Sequence, residues 1–166
     1  MAYVLQEISF EEEDITKEVF VGFRIRSDIL NPTALTSDLR IQPSRAWAKG
    51  DIIPSKRLNS QTGQPIKRPW GMWHLDSKSL IQTKKVEQHF LYLLDILEPQ
   101  KDQLRIYLQR PTEYKISFYI RWQPYEAAGS YVVSANTLAR AASLCHSMEF
   151  SFIHNEKDSS EYSTLP

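Results

Sequence analysis

The chain of 166 residues contains a single cysteine, Cys145, so no intrachain disulfide can form. A secreted chain of this size often carries several disulfides, so this scarcity favours a reducing, cytoplasmic setting. No apolar run approaches the roughly 20 residues needed to cross a bilayer. The first seven residues also lack the basic and apolar regions of a signal peptide. The sequence therefore predicts a cytoplasmic protein that has no membrane partner.

Signatures of metal binding, cofactor binding and catalysis are also lacking. The five glycines are scattered and form no phosphate-binding loop, and there is no Gly-x-Ser-x-Gly, His-Glu-x-x-His or Cys-x-x-Cys motif. The four histidines never fall at the tight spacing of zinc ligands. We therefore expect no cofactor and no metal, and the sequence identifies no catalytic residue. An enzyme is disfavoured but remains an alternative.

Net charge is absent from the chain as a whole, because 20 basic residues balance 20 acidic residues. The protein thus has no general attraction to nucleic acid or to an anionic membrane. The charges are nevertheless segregated. Residues 7–18 hold six acidic residues and one lysine, a net charge of −5, and residues 40–70 hold seven basic residues and one aspartate, a net charge of +6. Such blocks either face each other, are solvated separately or mark a surface for a partner.

Several segments show the period of two that is typical of strands. In residues 18–27, Val19, Val21, Phe23 and Ile25 fall on one face, with Arg24 and Arg26 among the residues of the other. Further strands are predicted over residues 70–80 and 114–123, from Tyr131 onward, and over residues 148–154.

Helices are predicted between these strands. Asn31 and Pro32 form a helix start, because asparagine accepts from free backbone N–H groups and proline needs no N–H at the first helical position. Leu35 and Leu39 then point inward, one turn apart. Residues 84–97 carry an apolar stripe at helical spacing and predict a long helix. Further helical segments are predicted from Pro99 and from a cap at Ser134 to about His146.

These elements predict an α+β fold in which helices pack on one face of a mostly antiparallel sheet, a two-layer sandwich. A short turn at residues 124–129 implies that the third and fourth strands form an antiparallel hairpin. We expect residues 1–154 to form a single domain. The polar residues 155–166 are expected to be a disordered tail.

Residues 42–71 form a long stretch interrupted by prolines and glycines, and loops of this length are usually functional or mobile. We expect Trp47 and the pair Ile52-Ile53 to pin part of this basic loop to the core. The loop leads into Gly71-Met72-Trp73-His74-Leu75-Asp76-Ser77, the most unusual segment of the chain.

Three motifs occur in order along the chain: Pro-Ser-Arg-Ala-Trp-Ala-Lys-Gly-Asp at residues 43–51, Gly-Met-Trp-His-Leu-Asp-Ser at 71–77, and Leu-Leu-Asp-Ile-Leu-Glu-Pro at 93–99. A helix–strand unit over residues 138–153 follows them. Together these features resemble a family of small, uncharacterised bacterial proteins known as a domain of unknown function. The resemblance covers roughly residues 19–154 and implies a bacterial, soluble, stand-alone protein. It supplies no catalytic residue.

The sequence allows three hypotheses for the function of the basic loop and the strand after it. The favoured one is a non-catalytic protein-interaction module, by analogy of the immunity type, whose basic loop binds an acidic protein. An enzyme is the first alternative, because a histidine beside a carboxylate can act as a general base. The simpler interpretation of that pair is a polar strand face exposed to solvent.

Weak nucleic-acid binding is the third hypothesis, because tryptophan rings that lie among basic residues can stack on bases. It is disfavoured by the zero net charge, and two of the tryptophans, Trp47 and Trp73, are expected to be core anchors. The sequence leaves the oligomeric state open. The candidate binding residues are Arg45, Trp47, Lys49, Arg68, Trp70, Trp73, His74 and Asp76.

Overall fold

The computed structural model describes residues 15–54, 58–125 and 129–153. The predicted tail, residues 155–166, lies outside the described part. None of the described helices is long and apolar enough to cross a membrane. In chain order the elements are strand β1 (Thr16–Ser27), helix α1 (Pro32–Leu39), strands β2 (Arg45–Trp47) and β3 (Gly71–Asp76), helix α2 (Val86–Leu97), a 3₁₀ helix (Glu98–Gln100), helix α3 (Lys101–Leu108), strand β4 (Lys115–Pro124), helix α4 (Ala135–Ala142) and strand β5 (Ser147–Phe152).

The five strands form one sheet in the order β2-β3-β1-β4-β5. Strand β1 lies at the centre and pairs antiparallel with both β3 and β4. Strand β2 adds antiparallel at one edge, and β5 adds parallel to β4 at the other. The sheet is thus mostly antiparallel, as the sequence predicts.

One face of the sheet and the described helices share a single hydrophobic core. Val21, Phe23 and Ile25 of β1 lie in the same buried cluster as Phe90 and Leu94 of α2. The other helices contribute Leu35 and Leu39 from α1, Leu104 from α3 and Ala141 from α4. This arrangement confirms the two-layer α+β fold and the inward faces predicted for α1 and α2.

The predicted hairpin between a third and a fourth strand is wrong. Residues 129–134 contain no strand, and the strand that follows β4 along the chain, β5, pairs with it in parallel. Parallel neighbours need a crossover connection, which here contains α4. Tyr131, the expected start of a strand, instead packs its ring against Trp122 at a centroid distance of 5.3 Å. The apolar residues from Tyr131 onward predict a strand, but Tyr131 instead makes a side-chain contact with β4.

The basic loop is more regular than the sequence predicts. Residues 45–47 form β2. We call residues 48–70 the arm, and its described residues, 48–54 and 58–70, pair with one another. Gly50 N donates to the Arg68 carbonyl at 2.9 Å, and Ile53 N donates to the Ile66 carbonyl at 2.8 Å. Isolated antiparallel bridges join Ile52 to Lys67 and Leu58 to Pro65, so backbone pairing holds the arm although its described residues contain no regular strand. Its Lys56 and Arg57, part of the basic block, lie outside the described residues.

The expected anchoring of this loop in the core is only partly correct. Trp73 is fully buried in the core and donates from Nε1 to Thr36 Oγ1 at 3.1 Å. Trp47 is only half-buried and lies outside the core cluster, and Ile52 is exposed. The prediction for Trp47 and Ile52 is wrong because backbone pairing, rather than apolar burial, holds the arm.

Candidate binding surface

The face of the sheet opposite the helices carries the charged side chains. Successive residues of a strand point to opposite faces, so Arg24 and Arg26 lie opposite the buried Phe23 and Ile25. Strand pairing sets their neighbours into rows across the sheet. One row consists of Trp47, Met72, Arg26 and Lys115, and the next consists of Arg45, His74, Arg24 and Ser117.

His74, Asp76 and Arg45 form a compact cluster on this face. His74 Nδ1 lies 3.5 Å from Asp76 Oδ2, and Arg45 Nη2 lies 3.3 Å from that Nδ1 and 3.6 Å from that Oδ2. His74 and Asp76 are only 3% and 7% exposed. The simpler sequence interpretation, a solvent-facing pair, is therefore wrong. Gly22 explains the difference, because its missing side chain leaves room for the imidazole ring.

The cluster is poorly arranged for general-base catalysis. Burial lowers the pKa of His74 from 6.5 to about 4; Asp76 opposes this shift and the guanidinium groups of Arg45 and Arg24 add to it. The ring is thus neutral near pH 7. Arg45 donates to Nδ1, which places the ring proton on Nε2. That nitrogen points at Gly22, where an added Cβ would lie only 2.5 Å away. A histidine held in this way fastens β2 to β3.

A second buried histidine was not singled out by the sequence. His89 Nδ1 lies 2.7 Å from Ser77 Oγ, and His89 Nε2 donates to the Thr83 carbonyl at 2.9 Å. Ser77 Oγ also accepts from Val21 N at 3.0 Å. Ser77 is fully buried and His89 is 1% exposed, so no substrate reaches the pair. It connects α2 to the end of β3, and burial lowers the pKa of His89.

Four exposed or half-buried side chains at the base of the arm form a layered surface, which we call the Trp–Arg surface: Arg26, Trp47, Arg68 and Trp70. The Arg68 guanidinium lies 3.9 Å from the centroid of the Trp47 ring, and that of Arg26 lies 5.8 Å from the Trp70 ring. Trp47 Nε1 donates to the Trp70 carbonyl at 3.2 Å. Cations above indole faces gain electrostatic attraction, so the layers hold one another in place.

The structure separates the eight predicted binding residues into groups. Trp47, Arg68 and Trp70 meet in the Trp–Arg surface, whereas Trp73 lies in the core. The other four predicted residues are held in polar contacts. The exposed Arg45 contacts the buried His74 and Asp76, and Lys49 forms an ion pair of 2.8 Å with Asp28.

Sequence reasoning missed Arg26 as a member of the surface. The available signal was the strand alternation, which already placed Arg24 and Arg26 on the polar face of β1. The side chains of Arg24 and Arg26 differ in their contacts because each meets residues that are distant in the sequence. The Arg24 side chain turns toward Glu149 of β5 in an ion pair and toward Ser117 Oγ at 3.3 Å, whereas Arg26 reaches the Trp70 ring.

Within the described residues, no group of three or more histidine, cysteine, aspartate or glutamate side chains is placed to hold a metal ion. The model of a family described as "Domain of unknown function (DUF4279)" matches residues 17–154 of the chain. No curated protein and no solved structure matches the chain.

Proposed function

Because the chain belongs to the family described as Domain of unknown function (DUF4279), whose description names no activity, we propose a function from the site itself. We propose that the protein is a non-catalytic interaction module that binds an acidic protein in the bacterial cytoplasm, in the manner of an immunity protein. The observation that carries this proposal is the Trp–Arg surface, where Arg68 lies over Trp47 and Arg26 over Trp70.

The composition of this surface supports protein recognition. Tryptophan and arginine are the residues most enriched among those that dominate binding energy at protein interfaces. Trp70 is 42% exposed although its ring is large and apolar. The cation–π contacts and the Trp47–Trp70 hydrogen bond fix these side chains before a partner arrives. A pre-ordered surface loses less side-chain entropy on binding, which favours affinity.

The charges around the surface support an acidic partner. Arg26 and Lys115 lie in the same row as Trp47, and Arg45 and Arg24 lie in the next row. Asp76 faces Arg45 and Glu149 pairs with Arg24, so these four charges cancel. The net positive charge of the surface then comes from Arg26, Arg68 and Lys115. Complementary charge speeds encounter with an acidic protein and disfavours basic ones.

A capture experiment tests the proposal. The immobilised protein captures partners from nuclease-treated lysate of its native host, and each captured protein is purified and titrated against wild type and variants. We expect an acidic partner whose Kd rises with salt and rises about tenfold or more in Arg68→Ala and in Trp47→Ala. Arg105→Ala, which removes an exposed arginine from helix α3, is the matched control and leaves the Kd unchanged.

Three results would count against this function. One is the absence of any captured protein that binds again in purified form. Another is a partner whose affinity changes equally in Arg68→Ala and Arg105→Ala, because the binding then lies elsewhere. The third is capture that occurs from untreated lysate and is absent from the nuclease-treated lysate, which would favour nucleic-acid binding instead. Urea unfolding of each variant verifies that a lost interaction is not a lost fold.

A further inference from the structure

A cavity of about 450 Å³ opens beside the Trp–Arg surface, at the end of the sheet where β1 ends and the chain continues toward α1. Its walls come from three parts of the chain: the end of β1 with the following turn, the last residue of the arm, and the turn before β4 with the first residue of that strand. The lining residues that matter here are Arg26, Asp28, Ile29, Trp70, Glu113 and Lys115.

Two cations stand next to each other in this wall. Arg26 of β1 and Lys115 of β4 are paired in register, so their side chains leave the same face of the sheet. The ion pair between Arg26 and Glu149 is long, with 3.9 Å between Nη2 and Oε1. Lys115 Nζ donates to the Pro111 carbonyl at 2.8 Å, which leaves further N–H groups on the same ammonium.

The two carboxylates in the wall are each neutralised by a cation outside it. Asp28 Oδ2 accepts from Lys49 Nζ at 2.8 Å. Glu113 accepts both arms of a fork from Arg110, with 3.0 Å between Nε and Oε1. The charge that remains to attract a ligand is therefore positive.

Two large apolar side chains of the wall are open to solvent. Ile29 is 61% exposed and Trp70 is 42% exposed. Large exposed apolar side chains beside a concave surface mark binding sites more often than they occur by chance. A ligand that fits this wall carries a carboxylate and an apolar group next to each other.

We infer that this cavity receives an aspartate or glutamate side chain of the partner protein together with a neighbouring apolar side chain. This inference rests on the proposed function and specifies the contact. Arg26 takes the carboxylate in a charge-assisted, two-pronged hydrogen bond, Lys115 supports it, and the apolar side chain lies against Trp70 and Ile29. Charge complementarity selects this occupant over a basic or purely apolar segment.

Two blocked dipeptides probe the cavity: N-acetyl-Asp-Phe-amide and its uncharged analogue, N-acetyl-Asn-Phe-amide. Each is titrated into the ¹⁵N-labelled full chain and followed by amide and indole N–H chemical shifts. For the aspartate dipeptide we expect a Kd on the order of 1 mM, as suits a ligand of this size. The largest shifts are expected at Trp70, Ile29 and Lys115, and the asparagine analogue should bind about tenfold more weakly.

Variants locate the contact. Arg26→Gln and Lys115→Gln should each weaken binding of the aspartate dipeptide about fivefold or more, whereas Arg105→Gln should leave it unchanged. Equal binding of the two dipeptides, or shifts centred away from Trp70, would overturn the inference. So would tighter binding of N-acetylphenylalanine, because the cavity would then be a site for a chain-terminal carboxylate.

The failure of this inference is distinguishable from failure of the proposed function. If the dipeptides do not bind but Arg68→Ala still weakens the captured partner, the interaction function stands and the cavity is not its contact. If the aspartate dipeptide binds as expected and no partner is recovered, the cavity is an acidic-peptide site without the interaction role.

Discussion

Gly22 decides where His74 sits. Both residues lie on the polar face of the sheet, on the neighbouring strands β1 and β3, and the imidazole lies against the glycine. Any side chain at position 22 would place its Cβ 2.5 Å from His74 Nε2, well inside van der Waals contact. The cluster in which the buried His74 and Asp76 meet the exposed Arg45 therefore exists because one residue of β1 has no side chain.

We expect Gly22→Ala to destabilise the protein by about 1–3 kcal/mol, the usual range for overpacking a well-packed site. In the background His74→Ala the same substitution should be neutral or slightly stabilising, because the clash is gone and alanine is more favourable than glycine inside a strand. Urea unfolding of the four proteins measures the coupling. An equal loss in both backgrounds would show that the Cβ meets something other than His74.

At the scale of elements, α1 links the strands of the core to α3. Asn31 Oδ1 accepts from Thr33 N and Ala34 N, both at 3.1 Å, and so satisfies two backbone donors at the start of the helix. Within the helix, Thr36 accepts from Trp73 of β3, and Asp38 accepts from the Tyr107 hydroxyl of α3. The eight-residue helix α1 therefore makes side-chain contacts with two other elements, β3 and α3.

Removing the cap should weaken the fold by a predictable amount. Asn31→Ala is expected to lower the free energy of unfolding by about 1 kcal/mol, because the N–H groups of the first turn lose their acceptor. Asn31→Asp, the matched control, keeps an oxygen acceptor in the same place and should retain most of the stability. Thermal or urea unfolding measures both, and an equal loss in the two variants would mean that the cap oxygen does not matter.

Edge strand β5 carries apolar side chains that stay exposed because of the position of the strand in the sheet. Phe150 and Phe152 pair in register with the buried Ile120 and Trp122, so they lie on the core side of the sheet. They are nevertheless 50% and 63% exposed. The strand lies at the end of the sheet order, where fewer neighbours cover it.

For the molecule as a whole, two buried histidines make stability depend on pH. Burial lowers the pKa of His74 from 6.5 to about 4, and burial also lowers that of His89. In the unfolded chain both titrate near 6.5. Between these values the unfolded chain binds more protons than the folded one, so stability is full above about pH 6.5 and falls as the pH decreases toward 4.

The stability lost through His74 alone should be about 2 kcal/mol between pH 7 and pH 5. His74→Met removes this titration, so its free energy of unfolding should change less over the same interval than that of the wild type. Urea unfolding at pH 7, 6 and 5 provides the comparison. An identical pH dependence in the wild type and in His74→Met would mean that His74 is not neutral when folded.

The sequence alone determined the parts that depend on local rules. Alternation identified β1 and its two faces, the Asn31-Pro32 pair identified the start of α1, and helical spacing identified α2. Each of these elements follows from a few neighbouring residues whose hydrogen bonding or periodicity permits few other backbone conformations. The α+β class then follows from the order of such elements.

Tertiary structure decided what depends on residues far apart in the chain. A hairpin was predicted after β4, but α4 carries the chain to a parallel β5. His74 is buried because Gly22 lies diagonally across from it on the neighbouring strand. Arg26 meets Trp70 because β2 and β3 bring the arm to the end of β1. These two contacts join positions 52 and 44 residues apart in the sequence, and no local pattern records which side chain will fill the space that another leaves.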